Sequence, residues 1–152
     1  MKLKFFLVGL FLSFSLFLTN AFALFYDASG HNAQLSNKWV IINYWADWCD
    51  SCLSEVSELN HFYSHNHDKN VVFYGVNYDQ LPIDGLKIAI KNAGISFPVL
   101  QLDPNSLWDL GQIDVIPTTF FINPNGQMVK KIVGPSTEKV IAKTLHELEL
   151  QA

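Results

Sequence analysis

A chain of 152 residues with 49% apolar and 16% charged side chains is sized for one domain built on one core. Two of its ten basic residues and none of its fourteen acidic ones fall in the first 23 positions, so the remainder carries a formal charge of −6. Every basic residue is Lys, and the longest basic run is Lys130-Lys131. An acidic domain without guanidinium forks is a poor candidate for tracking phosphates, which argues against nucleic acid as a partner.

The first 23 residues read as a signal peptide. Lys2 and Lys4 form a positive start, Phe5 to Leu18 an apolar stretch, and Ala21-Phe22-Ala23 an A-x-A cleavage site. The expected mature domain therefore spans residues 24–152, in the periplasm or another extracytoplasmic compartment. The competing reading is an uncleaved anchor running from Leu3 to Phe25, nearly long enough to span a bilayer.

From Leu24 to Lys38 the chain is mixed and polar, with turn signals at Ser29-Gly30 and Ser36-Asn37, which predicts a short hairpin or loop. Trp39 to Ala46 is a near-continuous apolar run interrupted by Asn43, the pattern of a strand buried on both faces. Cys52, Leu53, Val56, Leu59, Phe62 and Tyr63 then recur at helical spacing, predicting a helix from Cys49 to about Asn66. Val71 to Asn77 reads as a second buried strand. Ile83, Leu86, Ile90 and Ala93 mark an amphipathic helix ending at Gly94.

Phe97 to Leu102 reads as a short strand, and Asp103-Pro104 as the start of a small helix reaching about Gly111, with Asp103 as its N-cap. Thr118 to Asn123 and Gln127 to Val133 flank Pro124-Asn125-Gly126, where Asn-Gly predicts a tight hairpin turn. After the break at Gly134-Pro135, Ser136 is the expected cap of a closing helix whose apolar face is Val140, Ile141, Leu145 and Leu148. This alternation implies an α/β sandwich, a mixed central β-sheet flanked by helices on both faces. The aromatic residues Trp39, Tyr44, Trp45, Phe73 and Tyr74 are expected in its packing.

Two cysteines, Cys49 and Cys52, are too few and too close together for a secreted disulfide framework, so the pair is read as chemistry. A thiol at a helix N-terminus has its thiolate stabilised by free N–H groups and the helix dipole, which assigns the nucleophile to Cys49. Cys52, one turn further in, is the resolving thiol. Asp50 and Ser51 lie between them; a carboxylate at Asp50 opposes ionisation of Cys49 and tilts the pair towards reduction.

The run Asn43-Tyr44-Trp45-Ala46-Asp47-Trp48-Cys49-Asp50-Ser51-Cys52 resembles the W-A-x-W-C-x-x-C signature of the thioredoxin superfamily. Together with Gly75-Val76-Asn77, Phe97-Pro98-Val99-Leu100 and Ile116-Pro117-Thr118-Thr119-Phe120-Phe121-Ile122-Asn123, it resembles exported thiol-disulfide oxidoreductases of the TlpA/ResA/DsbE-like family. The resemblance implies a thioredoxin fold and a cis bond before Pro117. It implies that the backbone of Ile116 pairs with substrate, and that Glu55 modulates cysteine protonation. Asn43 stands where cytoplasmic thioredoxins carry Asp, a feature of the exported branch, and Trp48 is expected to shape the substrate surface. The candidate catalytic residues are thus Cys49, Cys52 and Glu55; the substrate-binding ones Trp48, Ile116 and Pro117; the redox-tuning ones Asp50, Ser51 and Asn43.

The resemblance implies reduction of disulfides in exported clients, with apocytochrome c the leading class. Recharging would come from a membrane electron donor of the DsbD or CcdA kind. No cofactor and no metal are called for, and a monomer is expected. The alternatives are an oxidase or isomerase on the same fold, and a non-enzymatic Sco-like metal-delivery protein, whose C-x-x-x-C spacing is one residue longer. Peroxiredoxins place Thr where this chain has Ala46, and haem attachment requires His where it has Leu53. His61 and His65, one turn apart, read as solvated residues towards the end of the helix, several turns from Cys49.

Overall fold

The computed structural model describes residues 24–66 and 69–152; the expected signal peptide lies outside the described residues. In chain order the elements are β1 (Trp39–Trp45), α1 (Asp50–Asn66), β2 (Val71–Asn77), α2 (Ile83–Ala93), β3 (Val99–Leu100), α3 (Asn105–Trp108), β4 (Thr118–Ile122), β5 (Met128–Val133) and α4 (Glu138–Glu149). The strands form one five-stranded sheet in the order β3-β2-β1-β4-β5. Strands β1, β2 and β3 run parallel, whereas β4 and β5 are antiparallel additions. The mixed α/β sheet of the sequence reading is therefore present. Among the described residues no helix is long and apolar enough to cross a membrane.

Central strand β1 is buried at every position, as its apolar run requires. Side chains alternate across the sheet, and two cores result. One contains Ile41, Trp45, Phe73 and Phe121 under α1, α2 and α4. The other contains Val40, Ile42, Tyr44, Val76 and Phe120. It is closed by Leu110 and Ile113, just after the short α3, and by Ala33 and Leu35 of the N-terminal segment. Each fully buried aliphatic or aromatic side chain contributes about 1.5–3 kcal/mol. The expected core aromatics, Trp39, Tyr44, Trp45, Phe73 and Tyr74, are all buried.

Gly75 marks a close approach: a Cβ there would meet Phe97 Cε2 at 2.9 Å, Trp45 Nε1 at 3.1 Å and Val99 Cγ2 at 3.2 Å. Glycine lets β2 pack under the Phe97-Val99 segment that carries β3. Gly94 takes the left-handed conformation expected at the end of α2, and its N–H returns to the Lys91 carbonyl.

Several local expectations shift. Strand β3 has two residues, because pairing with Gly75 and Val76 covers Val99 and Leu100 alone. Helix α3 spans four residues, and the Asp103 carboxylate, one position ahead of Pro104, accepts from the Asn105 N–H at 2.8 Å and from the Tyr44 hydroxyl at 2.6 Å. Pro124-Asn125-Gly126 forms a wider loop than a two-residue turn, since the Asn123 N–H donates to the Gln127 carbonyl and only Gly126 of the three has positive φ. The N-cap of α4 is Thr137, whose hydroxyl accepts from Val140 N–H at 3.3 Å; Ser136 is turned inward instead. Of the expected apolar face of α4, Ile141 and Leu145 are buried and Leu148 packs on the same core, while Val140 at its edge is exposed.

Candidate active site

β1 ends at Trp45 and α1 begins at Asp50, so the turn between them delivers Cys49 to the N-cap position of α1. The Leu53 N–H closes the first helical turn on the Cys49 carbonyl at 3.0 Å, and the Cys52 N–H points at Cys49 Sγ, 3.2 Å away. The sulfur takes the place of a capping oxygen, and a thiolate there receives both a hydrogen bond and the positive end of the helix dipole. Cys49 and Cys52 form a disulfide with Cα atoms 5.2 Å apart. Cys49 is 6% exposed and Cys52 1%, so an incoming sulfur meets Cys49 first.

The Ser51 hydroxyl lies 3.4 Å from Cys49 Sγ, and the Asp50 side chain is exposed in the first turn of α1. Across the cleft, the Ile116–Pro117 bond is cis, as the resemblance implied. The Ile116 carbonyl oxygen lies 3.9 Å from Cys49 Sγ. Ile116 is half-buried and Val115 beside it exposed, in the bend that precedes β4 next to the sulfur.

Trp48 stands out at 62% exposure. Its indole N–H donates to Asp79 Oδ2 at 2.6 Å, and its ring meets Tyr78 edge-on at 6.5 Å between centroids. Tyr78 and Asp79 did not figure in the sequence reading. Their signal was available, because they follow β2 directly, and parallel pairing of Trp45 with Asn77 brings residues 78–79 beside 47–48.

Glu55, one turn beyond Cys52 on α1, is 2% exposed. Asn43 of β1 donates to its Oε1 at 2.8 Å and, at 3.1 Å, to the hydroxyl of Thr119 on β4. Oε2 accepts from the Ser136 N–H at 2.6 Å. Burial pushes the Glu55 carboxyl above the ordinary carboxylate range, and the N–H groups of Ser136 and Asn43 pull it part of the way back. Ser136, expected only as a helix cap, and Thr119, quoted only within a family motif, were not placed at this site by the sequence; each lies far from Glu55 along the chain.

His61 and His65 lie away from this site. Both face Glu138 of α4, with Nδ1 of His65 2.7 Å and Nδ1 of His61 4.0 Å from its carboxylate oxygens.

The geometry invites comparison with known proteins, and the AhpC/TSA family profile matches residues 25–131, more than half of the chain. The chain belongs to the AhpC/TSA family. Within this thioredoxin-like family it is 32% identical over 118 residues to the thiol-disulfide oxidoreductase ResA of Bacillus subtilis, covering 76% of this chain and 65% of that protein. It is 33% identical over 107 residues to ResA of Oceanobacillus iheyensis, covering 69% and 54% respectively. The chain thus spans less than two thirds of the length of these two relatives. The crystal structure of StoA from Bacillus subtilis superposes with a TM-score of 0.68 at 23% identity, covering 79% of this chain and 92% of StoA. That likeness establishes the thioredoxin fold.

Proposed function

We propose that this protein is an extracytoplasmic thiol-disulfide oxidoreductase that reduces disulfides in exported proteins. The observation that carries the reading is the Cys49–Cys52 disulfide, capping α1 with Sγ of Cys49 3.9 Å from the Ile116 carbonyl oxygen and the exposed Trp48 alongside. Similarity to two proteins named thiol-disulfide oxidoreductase ResA supports it.

In the reduced protein, the Cys49 thiolate attacks one sulfur of a client disulfide. The client S–S bond breaks and its other sulfur leaves as a thiolate. Cys52 then loses its proton, with Glu55 as the acceptor at hand, and attacks Cys49 Sγ. The mixed disulfide breaks and the second client thiolate departs; the two thiolates take up two protons. Two electrons pass from the dithiol to the client, and a membrane donor of the DsbD or CcdA kind restores them. The client edge pairs with the backbone at Ile116 and Pro117, over Trp48. Asp50, Ser51 and Asn43 tune the couple. The protein acts as a monomer after cleavage at Ala23, and apocytochrome c is the leading client class.

The test is the reduction potential of the pair, measured by equilibration against glutathione or dithiothreitol, together with reduction of a protein disulfide by the reduced protein. A value near the thioredoxin end of the scale, about −270 mV, with client reduction supports the proposal. A value near about −120 mV makes the protein an oxidant and overturns the direction.

A further inference from the structure

A three-residue strap, Gly134-Pro135-Ser136, joins β5 to Thr137 and α4. Pro135 has no N–H, and both remaining N–H groups of the strap are spent on the candidate site. Gly134 donates to the Pro117 carbonyl at 2.8 Å, and Ser136 donates to Glu55 Oε2 at 2.6 Å. Gly134 sits at φ +94°, a conformation that side-chain-bearing residues rarely adopt, so the path of the strap depends on glycine.

The two oxygens of Glu55 have unlike partners. Oε1 faces the side-chain amide of Asn43, which can turn over and present its oxygen in place of its N–H. Oε2 faces a main-chain N–H, which is always a donor. The Ser136 hydroxyl is buried without a partner among the described residues, so the hold on Glu55 runs through the backbone and not the side chain.

We infer that Ser136 is a positioning residue for Glu55: its N–H keeps Oε2 a permanent acceptor, so the proton is taken up and released at Oε1, against Asn43. The importance of this for turnover rests on the oxidoreductase reading, because it matters to exchange only if Cys52 trades its proton with Glu55. Neighbouring titratable groups among the described residues lie on two helices. On α1 they are Cys52 and Glu58; on α4, Glu138, whose N–H donates to Glu58 Oε2 at 2.9 Å and whose carboxylate meets His65. β1 and β4 contribute Asn43 and Thr119, neither of which titrates.

The experiment follows the Ser136 amide proton and the Glu55 carboxyl carbon by NMR across pH, with the disulfide intact so that no thiol titrates. The two signals are expected to move with one midpoint, and the Ser136 amide to stay still in Glu55→Gln. Ser136→Pro, which removes the N–H, should raise the Glu55 midpoint by about one to two pH units, while Ser136→Ala, which keeps it, should leave it in place. A Ser136 amide indifferent to the Glu55 titration, or equal shifts in the two variants, overturns the inference. If Ser136→Pro does not fold, the wild-type amide titration decides alone. Reduction of a protein disulfide by the wild-type protein is measured separately. Its absence beside a coupled titration overturns the function and leaves the positioning; its presence beside an uncoupled one does the reverse.

Discussion

Glu55 and Asn43 are joined by a 2.8 Å hydrogen bond between α1 and β1, and neither is more than 2% exposed. A buried carboxyl held in this way makes folding depend on pH. Burial raises its folded-state pKa above the ordinary 4.5, so between those two values the folded chain holds a proton that the unfolded chain has released. Stability contributed at this site is greatest below 4.5, falls as pH rises through the window, and levels off above the raised value. Glu55→Gln should remove that slope. Urea denaturation across the window checks it, and equal slopes in the two proteins would count against a titrating Glu55.

The unequal placement of the two sulfurs predicts unequal mutants. Cys52→Ala should accumulate mixed disulfides with clients, because Cys49 can attack but nothing resolves the product. Cys49→Ala should trap none. Non-reducing electrophoresis of the two variants, each incubated with a disulfide-bonded protein, distinguishes them; equal trapping would reverse or abolish the assigned roles.

Trp48 projects into solvent and is held by Asp79 and Tyr78 rather than by the core. Trp48→Ala should therefore change the melting temperature little, while lowering kcat/KM for a protein disulfide about tenfold, roughly 1.4 kcal/mol. Glutathione disulfide, too small to reach across the indole, should be affected less. Comparable losses on both substrates would argue that the indole acts on the sulfurs and not on the client.

At Gly75 the added methyl of Gly75→Ala would have to displace the Phe97 ring, whose Cε2 lies 2.9 Å from the Cβ position. Overpacking of this kind costs about 1–3 kcal/mol, readable as a lowered urea midpoint with an unchanged slope.

Adjacent residues at the start of α4 should respond in opposite senses. Thr137→Ala removes the hydroxyl that accepts from Val140 N–H and should cost about 1 kcal/mol. Ser136→Ala removes a buried hydroxyl with no partner among the described residues and should be neutral or slightly stabilising. Thermal melts of the two variants decide the matter.

Much was legible from local pattern. The unbroken apolar run at Trp39–Trp45 announces a strand buried on both faces, and Gly94 ends α2 because a left-handed residue is cheapest without a Cβ. The two cysteines could be placed at a strand-to-helix turn from spacing alone, since α1 begins where the helical periodicity begins. Hydrophobic period and backbone conformation are properties of neighbouring residues, which is why sequence determined the order of elements and the position of Cys49.

Tertiary structure decided which distant groups meet. Ser136 had the composition of a helix cap, yet the chain enters α4 so that Thr137 caps it and the Ser136 N–H is left for Glu55, 81 positions earlier. Asp79 reaches Trp48 because β1 and β2 are parallel neighbours, and Thr119 reaches Asn43 because β4 returns antiparallel on the other side of β1. Each contact depends on strand register and helix packing, which are set by the summed burial of both cores and not by the residues that use them.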